Sequence, residues 1–203
     1  MSIFIVRHGE TAWNAARIVQ LPDIPLSERG IAQADRVALR LAAAGVARIL
    51  TSDFLRAAMT AERIAARTAA VCEFEPLLRE RDFGELRGVH YTALGVDIFA
   101  PEYTPPGGES WPDFHARVER AWERIRGTAA SGGGGLAVVT HGLFCRTLVA
   151  RHLAPAGELP PIGHWSNTSV TEIDAGPPWI VRRLNCVAHL GPDAGPGSPL
   201  AEV

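Results

Sequence analysis

Two histidines stand where this chain gathers its chemistry. His8 lies in Arg7-His8-Gly9-Glu10, straight after the apolar run Ile3-Phe4-Ile5-Val6, and His141 lies in Thr140-His141-Gly142, after Leu136-Ala137-Val138-Val139. Imidazole changes charge near neutrality, so it serves as nucleophile, acid or base. Arg7 flanks the first histidine, and Arg56 follows a third polar cluster, Thr51-Ser52-Asp53. A guanidinium keeps its proton, and its planar fork matches the oxygens of a phosphate or carboxylate. Two imidazoles and two guanidiniums together describe a site that handles an oxyanion.

Composition narrows the chemistry further. The chain has 203 residues, and all 20 of its cationic side chains are Arg. Without Lys there is no Schiff base, no pyridoxal phosphate anchor and no P-loop lysine. The formal charge of −2 is too near neutral to point to a nucleic-acid or membrane-surface partner. The remaining histidines, His90, His115, His152, His164 and His189, form no HxH or HxxxH pair, and His141 with Cys145 alone makes no metal site. The expectation is therefore no metal and no cofactor. Three scattered cysteines, no secretory leader and no apolar run of transmembrane length suggest a cytoplasmic protein.

The elements that must position these residues read as alternating strands and helices. Residues 3–6 form a strand buried on both faces, and Ser27 caps a helix to about 44 that ends at Gly45. Residues 46–50 form a second strand, and Ser52 or Asp53 caps a helix to about 69 with Arg56 in its first turn. Residues 72–74 make a short third strand, 76–108 a mixed stretch containing a long loop, and Ser110 with Pro112 opens a helix to about 130. After the glycine connector at 132–135, residues 136–140 are a buried strand, and Gly142 opens a helix to about 153. Residues 169–173 and 179–184 read as a closing hairpin, within a single domain over 1–190, and 191–203 as a disordered Gly/Pro-rich tail. This order predicts a three-layer α/β/α sandwich with a mostly parallel sheet. Ligands in such sheets bind beyond the carboxyl ends of the strands, where both histidines fall.

Arg7-His8-Gly9-Glu10-Thr11-Ala12-Trp13-Asn14 resembles the signature of the histidine phosphatase superfamily, in its phosphoglycerate mutase-like branch. The resemblance continues through 23–27, 30–34, Thr51-Ser52-Asp53-Phe54-Leu55-Arg56-Ala57, Leu78 to Glu85, Pro106 to Ser110, Thr140-His141-Gly142 and Ser166-Asn167-Thr168-Ser169, in order. It implies that His8 is the nucleophile, forming a phosphohistidine, with its other ring nitrogen donating to a backbone carbonyl. It implies further that Arg7, Arg56 and a protonated His141 surround the phosphoryl oxygens, with Asn14 and Gly142 also in the binding site. Glu80 stands at the acid position. Glu85 also stands as a candidate, and register favours Glu80. Glu109 reads as a loop anchor at least as well as a substrate contact.

Two positions depart from the pattern. Leu86 and Arg87 stand where such phosphatases often have Trp and Glu, and Leu21 follows Gln20 where a glycine is usual. The block Gly107-Gly108-Glu109-Ser110 is similar to that of small-molecule phosphatases such as α-ribazole phosphatase. Phosphoglycerate mutases carry a long insertion with paired arginines before this block. Here only residues 81–106 separate Glu80 from Gly107, and 88–107 hold no arginine. The expected activity is thus a metal-independent phosphomonoesterase acting on a small phosphorylated metabolite. The alternatives are a cofactor-dependent phosphoglycerate mutase and an inactive module that binds phosphorylated ligands. Residues 90–106, with Tyr91, Phe99, Tyr103, Asp97 and Glu102, read as a lid favouring an apolar or aromatic leaving group. Homodimers occur among such proteins, and no sequence stripe decides the oligomeric state.

Overall fold

The computed structural model describes residues 1–155 and 164–191. Among these residues seven strands run in chain order: β1 (Ser2–Arg7), β2 (Val46–Thr51), β3 (Val71–Phe74), β4 (Gly135–Thr140), β5 (Ala154–Pro155), β6 (Val170–Asp174) and β7 (Ile180–Cys186). The helices are α1 (Ala12–Ala15), α2 (Glu28–Ala43), α3 (Leu55–Thr68), α4 (Trp111–Ala130) and α5 (Gly142–His152). The sheet order is β3-β2-β4-β1-β6-β7-β5. β1 pairs parallel with β4, β4 with β2, and β2 with β3, while β6 runs antiparallel to both β1 and β7.

The unbroken apolar run of β1 is explained by what covers it. Successive strand side chains alternate faces. Ile3 and Ile5 join Leu136 and Val138 under Phe114, Val118, Trp122 and Ile125 of α4 and Phe144 and Leu148 of α5. Phe4 and Val6 join Ala137 and Val139 under Val37, Ala38 and Leu41 of α2 and Ala57, Ala61 and Ile64 of α3. Helices on both faces of a mostly parallel sheet make the three-layer sandwich the sequence predicts. Each fully buried Phe, Leu or Ile in these layers stabilises the fold by about 1.5–3 kcal/mol.

Most boundaries agree with the sequence to within a residue or two, and the differences have local causes. Ser27 caps α2, its side chain accepting from Gly30 N. Neither Ser52 nor Asp53 caps α3. Phe54 is its N-cap without a side-chain bond, and the Pro22 carbonyl instead accepts from Leu55 N. The short α1 is absent from the sequence reading. Its capping box joins Thr11 and Asn14, neither of them Glu or Gln at the third position. β5 is also unforeseen, a two-residue parallel pairing with β7. From residue 192 on, the predicted tail lies outside the described residues. No helix among the described residues is long and apolar enough to cross a membrane.

Candidate active site

Sheet register brings the two histidines together. Val6 pairs with Val139 and Arg7 with Thr140, so the next residues, His8 and His141, leave adjacent parallel strands side by side. Their ring centroids are 5.2 Å apart. β2 flanks β4 on the other side, Thr51 opposite Val139, and its chain turns through Ser52 into α3 with Arg56 as the second helical residue. Three carboxyl ends of parallel strands thus open on one pocket, lined among others by Arg7, His8, Asn14, Arg56, Glu80 and Gly142.

His8 is held in one tautomer. Its Nδ1 lies 2.7 Å from the Gly9 carbonyl, which only accepts, so the ring proton resides on Nδ1. Nε2 then carries a lone pair, and Arg56 Nε donates to it at 3.3 Å. Burial, with the charges of Arg56 and Arg7, holds the His8 pKa well below its ordinary value. The loop carrying it is fixed from three sides. Gly9 N donates to Thr60 Oγ1 at 3.1 Å, and Asn167 Nδ2 and Thr168 N both donate to the His8 carbonyl. A side chain at Gly9 would meet the Gly30 carbonyl oxygen at 2.6 Å, so only glycine lets the loop lie against α2.

The arginines differ in what they touch. Arg7 Nη1 donates to the Trp165 carbonyl, and its Nε is buried with no partner. Arg56, 3% exposed, also donates through Nη1 to Leu21 O at 2.9 Å. Its pKa is pulled down by burial to about 10, which leaves it cationic at neutral pH. Asp53 pairs with Arg79, so it is no partner for Arg56. Asn14 accepts through Oδ1 from Thr11 N and Asn167 Nδ2, which leaves its amide nitrogen for another contact.

His141 departs from expectation in its charge. Burial and the nearby Arg56, His8 and Arg7 hold its pKa well below the ordinary value, so its imidazole is neutral in this site. A protonated His141 requires an added negative charge beside it. Its Nε2 lies 2.9 Å from Ser52 Oγ, and its Nδ1 is buried without a partner.

Glu80 lies in the pocket, and Glu85 is exposed and does not line it. Glu80 Oε2 accepts from Leu143 N at 3.1 Å, and Oε1 accepts from Phe144 N and Arg81 N at 3.2 Å each. The carboxylate therefore occupies the amino end of α5, where free N–H groups favour an anion. Burial outweighs those bonds and raises its pKa above the usual carboxylate value. Its backbone is clamped by Arg117 of α4, whose Nη2 donates to the Glu80 carbonyl and whose Nη1 donates to the Leu77 and Arg79 carbonyls. Glu109 pairs with Arg117 through both oxygens and accepts from Asp82 N. Glu109 is thus a loop anchor.

Phe54, Phe83, Leu143 and Arg81 face the cavity with no role read from the sequence, and Gln20 and Arg87, at the two departures from the family pattern, line it as well. Tyr91 and Phe99 of the expected lid line it, stacked with centroids 6.5 Å apart, whereas Tyr103, Asp97 and Glu102 do not. Ser52 escaped because it reads as a helix cap, and Asn167 because its motif carries no signal of what it holds. Among the described residues, no group of three or more His, Cys, Asp or Glu is arranged to hold a metal ion.

The suppressed histidines set the pH dependence of stability. His8 and His141 resist protons in the fold, and burial and nearby arginines bring His164 and His189 to about 4. In the unfolded chain each takes a proton near 6.5. This contribution is therefore complete above pH 6.5 and is lost as pH falls toward and through the folded values. Urea midpoints at pH 5.0 are expected to lie clearly below those at pH 7.5. Equal midpoints contradict the burial of neutral imidazoles.

Paired imidazoles, two guanidiniums and a shielded carboxyl thus meet at one strand-end pocket. The chain matches the model of the histidine phosphatase superfamily, branch 1, over residues 3–186, and it belongs to that family. It is 31% identical to the "Probable phosphoglycerate mutase GpmB" of Cronobacter sakazakii, over 94% of this chain and 95% of that protein. Among solved structures it is similar to a mycobacterial glucosyl-3-phosphoglycerate phosphatase, with a TM-score of 0.78 and 27% identity, over 91% of this chain and 99% of that one. It is also similar to a "putative alpha-ribazole-5'-P phosphatase" from Escherichia coli, with a TM-score of 0.77 and 25% identity, over 93% of this chain and 97% of that one.

Proposed function

We propose that this chain hydrolyses a small phosphomonoester through a phosphohistidine on His8, with no metal ion. The observation that carries the reading is the His8 tautomer, since Nδ1 bonded to Gly9 O leaves an uncharged Nε2 beside the Arg56 guanidinium. In the first step Nε2 attacks phosphorus, the bond from phosphorus to the ester oxygen breaks, and Glu80 gives its proton to that oxygen. In the second, water attacks the phosphoryl group as Glu80 takes a proton from it. The phosphorus–nitrogen bond breaks, inorganic phosphate leaves and neutral His8 returns. Glu80 Oε1 already accepts two N–H bonds and Oε2 one, which favours Oε2 as the oxygen that exchanges the proton.

Arg7, Arg56, Asn14 and the Gly142 end of α5 hold the phosphoryl oxygens in this reading. The unpartnered Arg7 Nε and His141 Nδ1 are polar atoms that such oxygens satisfy. A phosphoryl dianion also supplies the negative charge that drives His141 toward its protonated form. Cys72, Cys145 and Cys186 are free thiols, which supports a cytoplasmic setting.

Mutase activity is the second reading, favoured by the name of the Cronobacter relative. Against it stands the short span from Glu80 to Gly107, with no arginine in 88–107 to retain a reorienting intermediate. Incubation with 3-phosphoglycerate and a bisphosphoglycerate primer separates the two. Inorganic phosphate without 2-phosphoglycerate supports hydrolysis, and accumulating 2-phosphoglycerate overturns it. Turnover of a phosphomonoester is expected to be unchanged by a chelator, and chelator-sensitive turnover contradicts the metal-free mechanism.

A further inference from the structure

We propose that Arg87 forms a leaving-group subsite in the pocket, selecting phosphomonoesters whose leaving alcohol carries a second anionic group. This deepens the hydrolytic reading and rests on it. Among the described residues, four arginines line the cavity against a single acid, Glu80. Three of the four are committed elsewhere. Arg7 ends β1 next to the nucleophile and donates to the Trp165 carbonyl, and Arg56 donates to His8 and to Leu21 O. Arg81 is 2% exposed and spends its donors on the carbonyls of Glu109, Ile98 and Tyr103, at 3.0, 3.0 and 2.7 Å. It fastens the lid segment from below and has little left for a ligand.

Arg87 differs from the other three. It ends the short 3-10 turn Gly84–Leu86, and its ion pair among the described residues is Nη2 to Asp82 Oδ1 at 3.0 Å. Both side chains are open to water, 25% for Arg87 and 45% for Asp82, so the pair is screened and readily exchanged. Asp82 Oδ1 also accepts from Gly84 N at 2.7 Å, which keeps that carboxylate in place if the guanidinium turns away.

Charge and shape then specify the ligand. A phosphoryl dianion matched by Arg7 and Arg56 leaves the charges of Arg81 and Arg87 in the lining, and of these two it is Arg87, held by one exposed ion pair, that has donors to give a ligand. Arg87 acts on Arg56 electrostatically, lowering its proton affinity, so the two guanidiniums share one field. Phe54, Phe83, Tyr91 and Phe99 supply an aromatic wall to the same cavity, while the lid acids Asp97 and Glu102 stay out of it. An organic body against the wall, ending in a carboxylate or a second phosphate at Arg87, satisfies both. The aromatic wall keeps the apolar or aromatic body expected from the lid sequence, and Arg87 adds an anionic end to it.

Paired esters isolate the charge. The kcat/KM values of phenyl phosphate, 4-(carboxymethyl)phenyl phosphate and 4-(phosphonomethyl)phenyl phosphate are compared for the wild type, Arg87→Gln and Arg87→Glu. The wild type is expected to prefer at least one anionic ester over the neutral one by about tenfold, the size of a partly screened charge pair. Which anionic ester it prefers identifies the terminal group. The preference is expected to vanish in Arg87→Gln and to invert in Arg87→Glu. Equal ratios in all three proteins overturn the subsite while leaving hydrolysis intact. Failure of the wild type to hydrolyse any of the esters overturns the underlying reading instead.

Discussion

His8→Ala is expected to lower kcat/KM for a phosphomonoester by about 10⁴-fold or more, the scale on which loss of a covalent nucleophile is felt. Neighbouring groups do not replace it. His141 lies a ring-width away, yet its Nε2 is engaged by Ser52 Oγ. Arg56 has no lone pair to offer. The loop itself keeps its main bonds, since Thr168 N and Asn167 Nδ2 contact the His8 carbonyl and not its ring. A folded and inactive variant is therefore the outcome, read by phosphate release alongside circular dichroism. The same substitution removes one suppressed imidazole, so the variant should lose less stability between pH 7.5 and 5.0 than the parent. A variant that hydrolyses its ester within tenfold of the parent rate contradicts the assignment.

Glu80→Gln is expected to slow turnover by about 10²- to 10⁴-fold, the usual worth of a positioned proton donor. Glutamine keeps the shape of the carboxyl and loses the transferable proton. The loss should be larger for an alkyl phosphate, whose leaving oxygen needs a proton, than for 4-nitrophenyl phosphate, whose leaving oxygen does not. The pH profile gives a second readout with a fixed sign. Attack requires neutral His8, whose pKa lies well below 6.5, so activity survives into acid until that group protonates. Leaving-group protonation requires protonated Glu80, whose pKa is raised above 4.5 by burial, so activity falls as pH rises through the raised value. Glu80→Gln should abolish that upper limb and retain the lower one. An unchanged upper limb, or an equal loss for both esters, assigns the acid elsewhere.

What could be read in the sequence follows from how local each cause is. The apolar runs at 3–6 and 136–139 declare strands buried on both faces, and the polar residues that end them declare the site edge. The convergence of Arg7, His8 and His141 then follows from parallel pairing alone, since adjacent strands in register present successive residues together. Arg56 was legible because its cation sits where the helix dipole disfavours it, and its contact with His8 gives the reason. Between Glu80 and Glu85, register alone favours Glu80, because both lie in one charge-rich stretch. What that stretch does not show is the partner: the amino end of α5, some sixty residues downstream, where Leu143 N and Phe144 N donate to the Glu80 carboxylate.

The stretch from 76 to 108 was the least legible for the same reason. Its order comes from Arg81 and Arg117 donating to distant carbonyls, a pattern that leaves no periodicity in the sequence. Ser52 departs from a sound local rule. A serine ahead of a helix normally caps it, and here it faces His141. Arg87 is legible as a departure from the family pattern, and it lines the cavity.

The most direct trial of the mechanism is to quench the enzyme in alkali during turnover of a phosphorus-32-labelled ester and map the label. The account predicts one acid-labile, base-stable phosphoryl group, carried on the peptide containing residue 8 and absent from the His8→Ala protein. Label recovered on a different residue, or active turnover in which none is ever bound to protein, contradicts it.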